Sequence, residues 1–274
     1  MIIGGREFDT ENNIYIMGIL NVTPDSFSDG GCFDKVDKAL KRVGVMIEEG
    51  ADIIDIGAES TRPGSEQVSA DDEINRLKPV LEAIKREYDV PVSIDTYKYE
   101  TAEKALEAGA DLINDIWGLK YDDGRMADVI ARFNVPCVLM HNRKVPEYLH
   151  IINDVIEDLN ESVIIANDAG IEKSKIILDP GIGFAKSYNE NLEILNNLDA
   201  FSRIRYPMLL GCSRKSVIGN ALDLPVDKRL EGTIVTTILA SQAGYSFVRV
   251  HDIKENKRAL SMLKAVTSAV LLDE

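Results

Sequence analysis

Two short segments late in the chain carry cations in a pattern suited to anion chemistry. They are Ser213-Arg214-Lys215-Ser216 and Arg249-Val250-His251. Arg249 and His251 alternate, so on an extended strand both side chains leave the same face. An arginine fork beside an imidazole donor suits a diphosphate. Near the other end, Asn21 offers an amide oxygen to a hard cation such as Mg²⁺, which keeps waters and borrows phosphate oxygens. Further polar residues close apolar runs: Asp55, Glu59, Asp95, Asn114, Asp115, His141 and Asp179. Each also has an ordinary structural reading, as a helix cap, a turn or, for Arg249, an ion pair with a neighbouring carboxylate. Together they would line one rim with amides, carboxylates and cations.

Three segments are longer than a turn requires. The first runs from Asn21 through Thr23-Pro24-Asp25-Ser26-Phe27 to Gly30-Gly31, and reads as a flexible loop or as a lid over a substrate. The second is Glu59-Ser60-Thr61-Arg62-Pro63-Gly64, with an arginine held by a Pro-Gly turn. The third is Asp179-Pro180-Gly181-Ile182-Gly183-Phe184-Ala185-Lys186. Its glycines permit close backbone approach to a ligand, and its Phe could cover an aromatic ring.

The elements that must position these groups follow from hydrophobic periodicity. Apolar runs at 14–20, 52–56, 91–95, 111–115, 136–140, 175–179, 207–211 and 247–250 are continuous, the pattern of strands buried on both faces of a parallel sheet. Helical spacing lies between them, as in Val36, Ala39, Leu40, Val43 and Ile47, in Ile74, Leu77, Leu81 and Ile84, and in Ile151, Val155, Leu159 and Val163. Ser69 with Asp72 predicts a helix start, and Gly50, Gly109, Gly170 and Gly244 stand where helices should end. Strand–helix alternation over this length predicts an α/β fold, a closed (β/α)₈ TIM barrel. An open doubly wound sheet is the alternative, weakened because no Gly-x-Gly-x-x-Gly follows the first strand. Residues 1–13 are expected to form a short N-terminal hairpin or plug at the barrel bottom. No linker divides the sequence, so residues 1–274 read as a single domain.

Composition limits the partners. The 31 Lys and Arg stand against 46 Asp and Glu, a net charge of −15. Nucleic acid or an anionic membrane would require a basic face, so neither is expected as a main partner. A small anionic substrate is compatible, since a local cationic pocket can sit in an acidic surface. Cys32, Cys137 and Cys212 form no C-x-x-C pair, which argues against a disulfide framework or zinc finger and for a reducing cytoplasm. No apolar run approaches the roughly 18 residues of a membrane span, and no secretory leader is expected.

The segments Met17-Gly18-Ile19-Leu20-Asn21-Val22-Thr23-Pro24-Asp25-Ser26-Phe27-Ser28-Asp29-Gly30-Gly31, Gly57-Ala58-Glu59-Ser60-Thr61-Arg62-Pro63-Gly64, Asp179-Pro180-Gly181-Ile182-Gly183-Phe184, Ser213-Arg214-Lys215-Ser216 and Arg249-Val250-His251-Asp252 occur in that order. Together they resemble the dihydropteroate synthase family over nearly the whole chain. The resemblance implies a transferase of folate biosynthesis and a target of sulfonamides. It would join 6-hydroxymethyl-7,8-dihydropterin pyrophosphate to p-aminobenzoate and release pyrophosphate. It implies pterin binding by Asp95, Asn114, Met140, Asp179, Phe184 and Lys215, and pyrophosphate binding by Asn21, Arg249 and His251 with Mg²⁺. Asn21, Lys215, Arg249 and His251 would carry catalysis, with Asn21 the metal ligand. Phe184 and Ser216 would frame p-aminobenzoate, and Asp25, Phe27, Thr61, Arg62 and Pro63 would close over it. A cytoplasmic homodimer is also implied.

The sequence departs from the family pattern at three places. Ala185 stands where the family commonly has glycine, Cys212 where it has threonine, and His141-Asn142-Arg143-Lys144 replaces a Met-His-Met continuation. Two other readings are weighed. One is a pterin-dependent methyltransferase, which would not need the first loop or the 213–216 segment. The other is a non-catalytic pterin-binding paralogue, for which loss of Asn21, Lys215 or Arg249 would speak; all three are present.

Overall fold

The apolar runs become the staves of a barrel. The computed structural model describes residues 1–23, 32–59 and 67–269, without the side chains of residues 32–34. After a two-stranded hairpin, β1 (Ile2–Ile3) and β2 (Arg6–Glu7), come β3 (Tyr15–Asn21), β4 (Ile53–Gly57), β5 (Val92–Asp95), β6 (Leu112–Asp115), β7 (Cys137–Met140), β8 (Ile176–Asp179), β9 (Leu209–Leu210) and β10 (Phe247–Val250). These last eight form one parallel sheet in the order β8-β7-β6-β5-β4-β3-β10-β9. A single bridge, Leu178 to Met208, joins β8 to the residue before β9 and closes the ring. This is the expected (β/α)₈ barrel. The seventh barrel strand is shorter than the apolar run 207–211 suggested. Pro207 has no N–H to donate, although its carbonyl accepts from Leu178 N at 2.9 Å.

The helices are α1 (Cys32–Glu48), α2 (Ala70–Glu87), α3 (Tyr99–Glu107), α4 (Arg125–Phe133), α5 (Ile151–Asp168), α6 (Tyr188–Asn196), α7 (Leu198–Ser202), α8 (Ser216–Leu222), α9 (Leu230–Gln242) and α10 (Ile253–Thr267). Their starts and stops follow local chemistry. Ser69 caps α2 by accepting from Asp72 N at 3.1 Å, and Ser187 with Glu190 forms a reciprocal capping box on α6. The four glycines expected to end helices all have positive φ. No helix among the described residues is long and apolar enough to cross a membrane.

Two cores result. The larger lies between the sheet and its helices. The smaller fills the lower barrel interior with Met17, Ile53, Leu112, Val138, Ile177, Leu209 and Phe247. The hairpin caps it from below, as expected: Ile3 and Phe8 are buried in the same cluster, and the Phe8 ring meets Tyr15 edge-on at 4.8 Å. Removing such a ring from water contributes about 1.5–3 kcal/mol. The barrel is therefore apolar and stoppered at one end, which leaves the other for chemistry.

Candidate active site

The same strands that place apolar side chains in the lower barrel place mostly polar ones above, two residues further on, Met140 being the exception. Ile53 is followed by Asp55, Leu112 by Asn114, Val138 by Met140, Ile177 by Asp179, and Phe247 by Arg249 and His251. The two-residue period of a strand keeps all of them on the inner face. Arg249 is the hub. Its Nε donates to Asp55 Oδ2 at 2.6 Å and its Nη2 to Asp95 Oδ2 at 2.7 Å. Asn114 Nδ2 also donates to Asp55 Oδ2, at 3.4 Å. The second oxygen, Asp55 Oδ1, is buried with no hydrogen-bond partner among the described residues, as is Ser93 Oγ. Such orphans are rare in a settled interior, and Asp55 Oδ1 is left free to accept from a donor.

The electrostatics follow from burial and proximity. Burial pushes the Asp95 carboxyl up to about 7, against the pull of Arg249 and with a push from Asp55. Burial also raises Asp179, opposed by Lys215 and by a 2.7 Å hydrogen bond from Gly181 N. Desolvation lowers Lys215, opposed by Asp179. The Arg249 guanidinium, though buried, is held charged by Asp55 and Asp95.

The third loop folds over this floor. The Lys215 ammonium lies over the Phe184 ring at 4.6 Å and donates to the Ile182 carbonyl. Phe184 and Trp117 pack against a small apolar wall of Tyr97, Ile116 and Met140. A flat heterocycle entering the mouth would thus meet an apolar wall, carboxylates at Asp95 and Asp179, the Asn114 amide and two cations. Asn21 ends β3 exposed, and Ser216 opens α8, also exposed. Asn21 Oδ1 and Asp95 Oδ2 both face the bare α-carbon of Gly57, where a Cβ would sit 3.7 Å from each. His251 Nδ1 lies 3.0 Å from Ser213 Oγ, on the same rim.

Comparison with known proteins then decides the family. Residues 17–251 match the family described as pterin binding enzyme. The dihydropteroate synthase of Clostridium beijerinckii is 57% identical over 96% of this chain and 97% of its own length. The chain belongs to the dihydropteroate synthase family of pterin-binding enzymes. Two solved dihydropteroate synthases share its shape. That of Clostridium difficile, determined in the presence of pteroic acid, has a TM-score of 0.92 at 47% identity, covering 95% of this chain and 99% of that one. That of Xanthomonas albilineans, with 4-aminobenzoic acid, has a TM-score of 0.92 at 38% identity and covers 97% of each chain.

Within this dihydropteroate synthase barrel, Asp95, Asn114, Met140, Asp179, Phe184, Lys215, Arg249 and His251 come together at one mouth, and Asn21 and Ser216 stand on its rim. Asp25, Phe27, Thr61, Arg62 and Pro63 lie outside the described residues. Arg214, in the cationic 213–216 segment, turns away and forms a two-nitrogen pair with Asp252. Sequence reasoning set Asp55 among the polar residues of the rim without a specific role, and missed Ile116 and Trp117. For Asp55 the signal was parity, since it lies two residues after the inward Ile53 and two before Gly57. His141 lies beneath the third loop, bonded to Lys186 and Asp158, and Arg143 pairs with the same Asp158.

Proposed function

We propose that the mouth condenses 6-hydroxymethyl-7,8-dihydropterin pyrophosphate with p-aminobenzoate, giving 7,8-dihydropteroate and pyrophosphate. The single observation that carries the residue assignment is the Asp55–Arg249–Asp95 bridge beneath an apolar wall. Its acceptor oxygens and fixed cation support a reading in which a pterin and its diphosphate meet at this mouth. A pterin edge carries a guanidine-like pair of N–H donors, which a carboxylate accepts side by side; Asp179 and Asp95 are the acceptors. Asn114 and Lys215 serve the opposite edge. A buried set of this kind rejects analogues that leave its polar atoms unpaired.

Loss of pyrophosphate leaves a methylene cation that the electron-rich pterin delocalises. The chain's main task is therefore to hold the leaving anion, and Arg249, His251 and Asn21 are assigned to it. The arylamine is already nucleophilic and needs chiefly to be placed, by Phe184, Lys215 and Ser216. Asp25, Phe27, Thr61, Arg62 and Pro63 are proposed to complete that enclosure.

No group of three or more His, Cys, Asp or Glu among the described residues could hold a metal ion. The donor set does fit a magnesium ion that takes one protein oxygen, from Asn21, and fills its shell with diphosphate oxygens and water. Bound there, Mg²⁺ would supply positive charge to the departing pyrophosphate. The proposed setting is a cytoplasmic homodimer. Exposed apolar residues on the paired helices α9 and α10 (Val235, Leu239, Met262, Val266) and the free buried Cys137 and Cys212 support it.

Pyrophosphate release with both substrates and Mg²⁺ tests the whole reading. Release that needs both substrates, ceases on chelation and returns with Mg²⁺ is the expected result. Methyl transfer from an added methylated pterin to an added corrinoid, or tight pterin binding without pyrophosphate release, would replace it.

A further inference from the structure

We propose that Lys186 is a positioning residue for the amine substrate. Its ammonium group clips the 180–186 loop to a buried His141–Asp158–Arg143 chain, and so sets the Phe184 ring and the Lys215 ammonium that frame p-aminobenzoate. This rests on the synthase reading above and extends it to residues that touch neither substrate.

The geometry is fully paired. Lys186 Nζ has three N–H groups and three acceptors: His141 Nδ1 at 2.7 Å, Gly181 O at 2.9 Å and Phe184 O at 2.9 Å. His141 Nε2 lies 2.8 Å from Asp158 Oδ2. A carboxylate only accepts, so Nε2 carries the imidazole proton and Nδ1 presents its lone pair to Lys186. Asp158 is held in turn by Arg143 Nε at 2.5 Å and Nη2 at 3.2 Å, and the guanidinium lies over Tyr148 at 4.5 Å. Tyr148 Oη donates to Ala185 O at 2.7 Å. The Gly181 and Phe184 carbonyls are thereby tied through Lys186 to His141, and the Ala185 carbonyl to Tyr148, both in the connection between β7 and α5. The loop also presses on the His141 backbone: a Cβ on Gly181, at φ +71°, would lie 2.1 Å from His141 O. On its other side the loop supplies the Ile182 carbonyl to Lys215 and the Phe184 ring beneath it.

Three acceptors need three protons. A neutral amine has two N–H groups and a lone pair, which would face one of those acceptors. Burial lowers the Lys186 pKa to about 7; Asp179, Asp158 and Glu190 oppose the shift, and Lys215 adds to it. Burial lowers His141 to about 4, so it stays a neutral acceptor across this range. Raising the pH through about 7 should therefore loosen the clip.

The test uses the full chain, Mg²⁺ and both substrates, with pyrophosphate release as the signal. Lys186→Met should raise KM for p-aminobenzoate roughly 10- to 100-fold, the scale on which small misplacements act, and raise KM for the pterin pyrophosphate by a clearly smaller factor, because Asp95, Asn114 and Asp179 still hold the pterin when Lys215 and Phe184 shift. Wild-type KM for p-aminobenzoate should climb above pH about 7, and Lys186→Met should abolish that dependence. An unchanged KM, a parallel rise in both KM values, or a surviving pH dependence overturns the proposal. If Lys186→Met does not fold, Asp158→Asn decides. Removing that charge should move the midpoint of the wild-type profile to lower pH, and an unmoved midpoint overturns the clip. A wild-type protein that releases no pyrophosphate overturns the synthase reading itself. Wild-type turnover with insensitive variants overturns only the role of Lys186.

Discussion

Replacing Arg249 with alanine should separate the two jobs its guanidinium performs. In the native barrel that group bridges Asp55 and Asp95, whose side chains are 0% and 12% exposed. Arg249→Ala leaves two buried carboxylates facing each other, and stranding buried charge in this way costs about 3–5 kcal/mol. The molecule can relieve part of that cost by holding a proton on Asp95. In the wild type its pKa is already raised to about 7, with Arg249 pulling it down. Without Arg249 it must rise further. An unfolded aspartate titrates near about 3.9, so the folded state keeps a proton that the unfolded state has released. Such a group's contribution is fully present below about pH 4 and is lost as pH rises through the folded pKa. In the wild type that loss ends near pH 7; in the variant it continues. Between about pH 7 and about pH 8.5 the variant should lose a further 2 kcal/mol or so relative to wild type, about 1.36 kcal/mol per unit. Urea unfolding of both proteins at the two pH values measures this, and groups common to both cancel in the difference. At the lower pH, where the variant is mostly folded, turnover should still fall by about 10²–10³, the effect of removing one preorganised donor to a developing anion. A stability difference that does not change with pH would refute the charge argument. Turnover within about threefold of wild type would refute the catalytic one.

Ala185 holds φ +47°, where the family commonly has glycine. Ala185→Gly should relieve left-handed strain and raise stability by about 1 kcal/mol, read as a melting temperature about 2–4 °C higher. Phe8, buried in the stopper, should behave in the opposite way. Phe8→Ala should cost about 3–5 kcal/mol in urea unfolding and leave kcat of the folded fraction unchanged, since it lies at the far end of the barrel. Lys98 sits between Glu59 and Glu73, whose side chains are 7% and 1% exposed, and these two carboxylates hold it charged against burial. Lys98→Met should therefore destabilise by about 3–5 kcal/mol, whereas the exposed pair Lys78–Glu82 should contribute at most about 0.5 kcal/mol when broken by Lys78→Met.

Strand order and the barrel were legible because parallel strands buried on both faces read as continuous apolar runs. That same continuity hid the inner-face parity, so Asp55 passed as one more polar strand end. Its role becomes visible only when Ile53, Asp55 and Gly57 are counted inward together. The placement of Arg249 and Lys215 at the mouth was readable from residue type and position at strand ends. The clip was not. Lys186, His141 and Asp158 lie on three separate elements, and nothing in their local spacing announces that their side chains converge. Arg214 shows the converse: a cation in the right segment is drawn off by Asp252, 38 positions away in sequence, a distance no local pattern encodes.

The ring of strands is not uniformly stitched. Around most of its circumference neighbours pair over several residues, but β8 meets the chain before β9 through a single bridge, Leu178 to Met208, with Leu178 N donating to the Pro207 carbonyl. A barrel that breathes will part there first, and amide hydrogens along that joint should exchange soonest. Asp179 lies just above one lip of the joint and Lys215 above the other. A pterin gripped by both would act as a rivet across the weakest stave. Protection from exchange at Leu178 would then report occupancy of the mouth from the side of the wall, without any probe of the reaction.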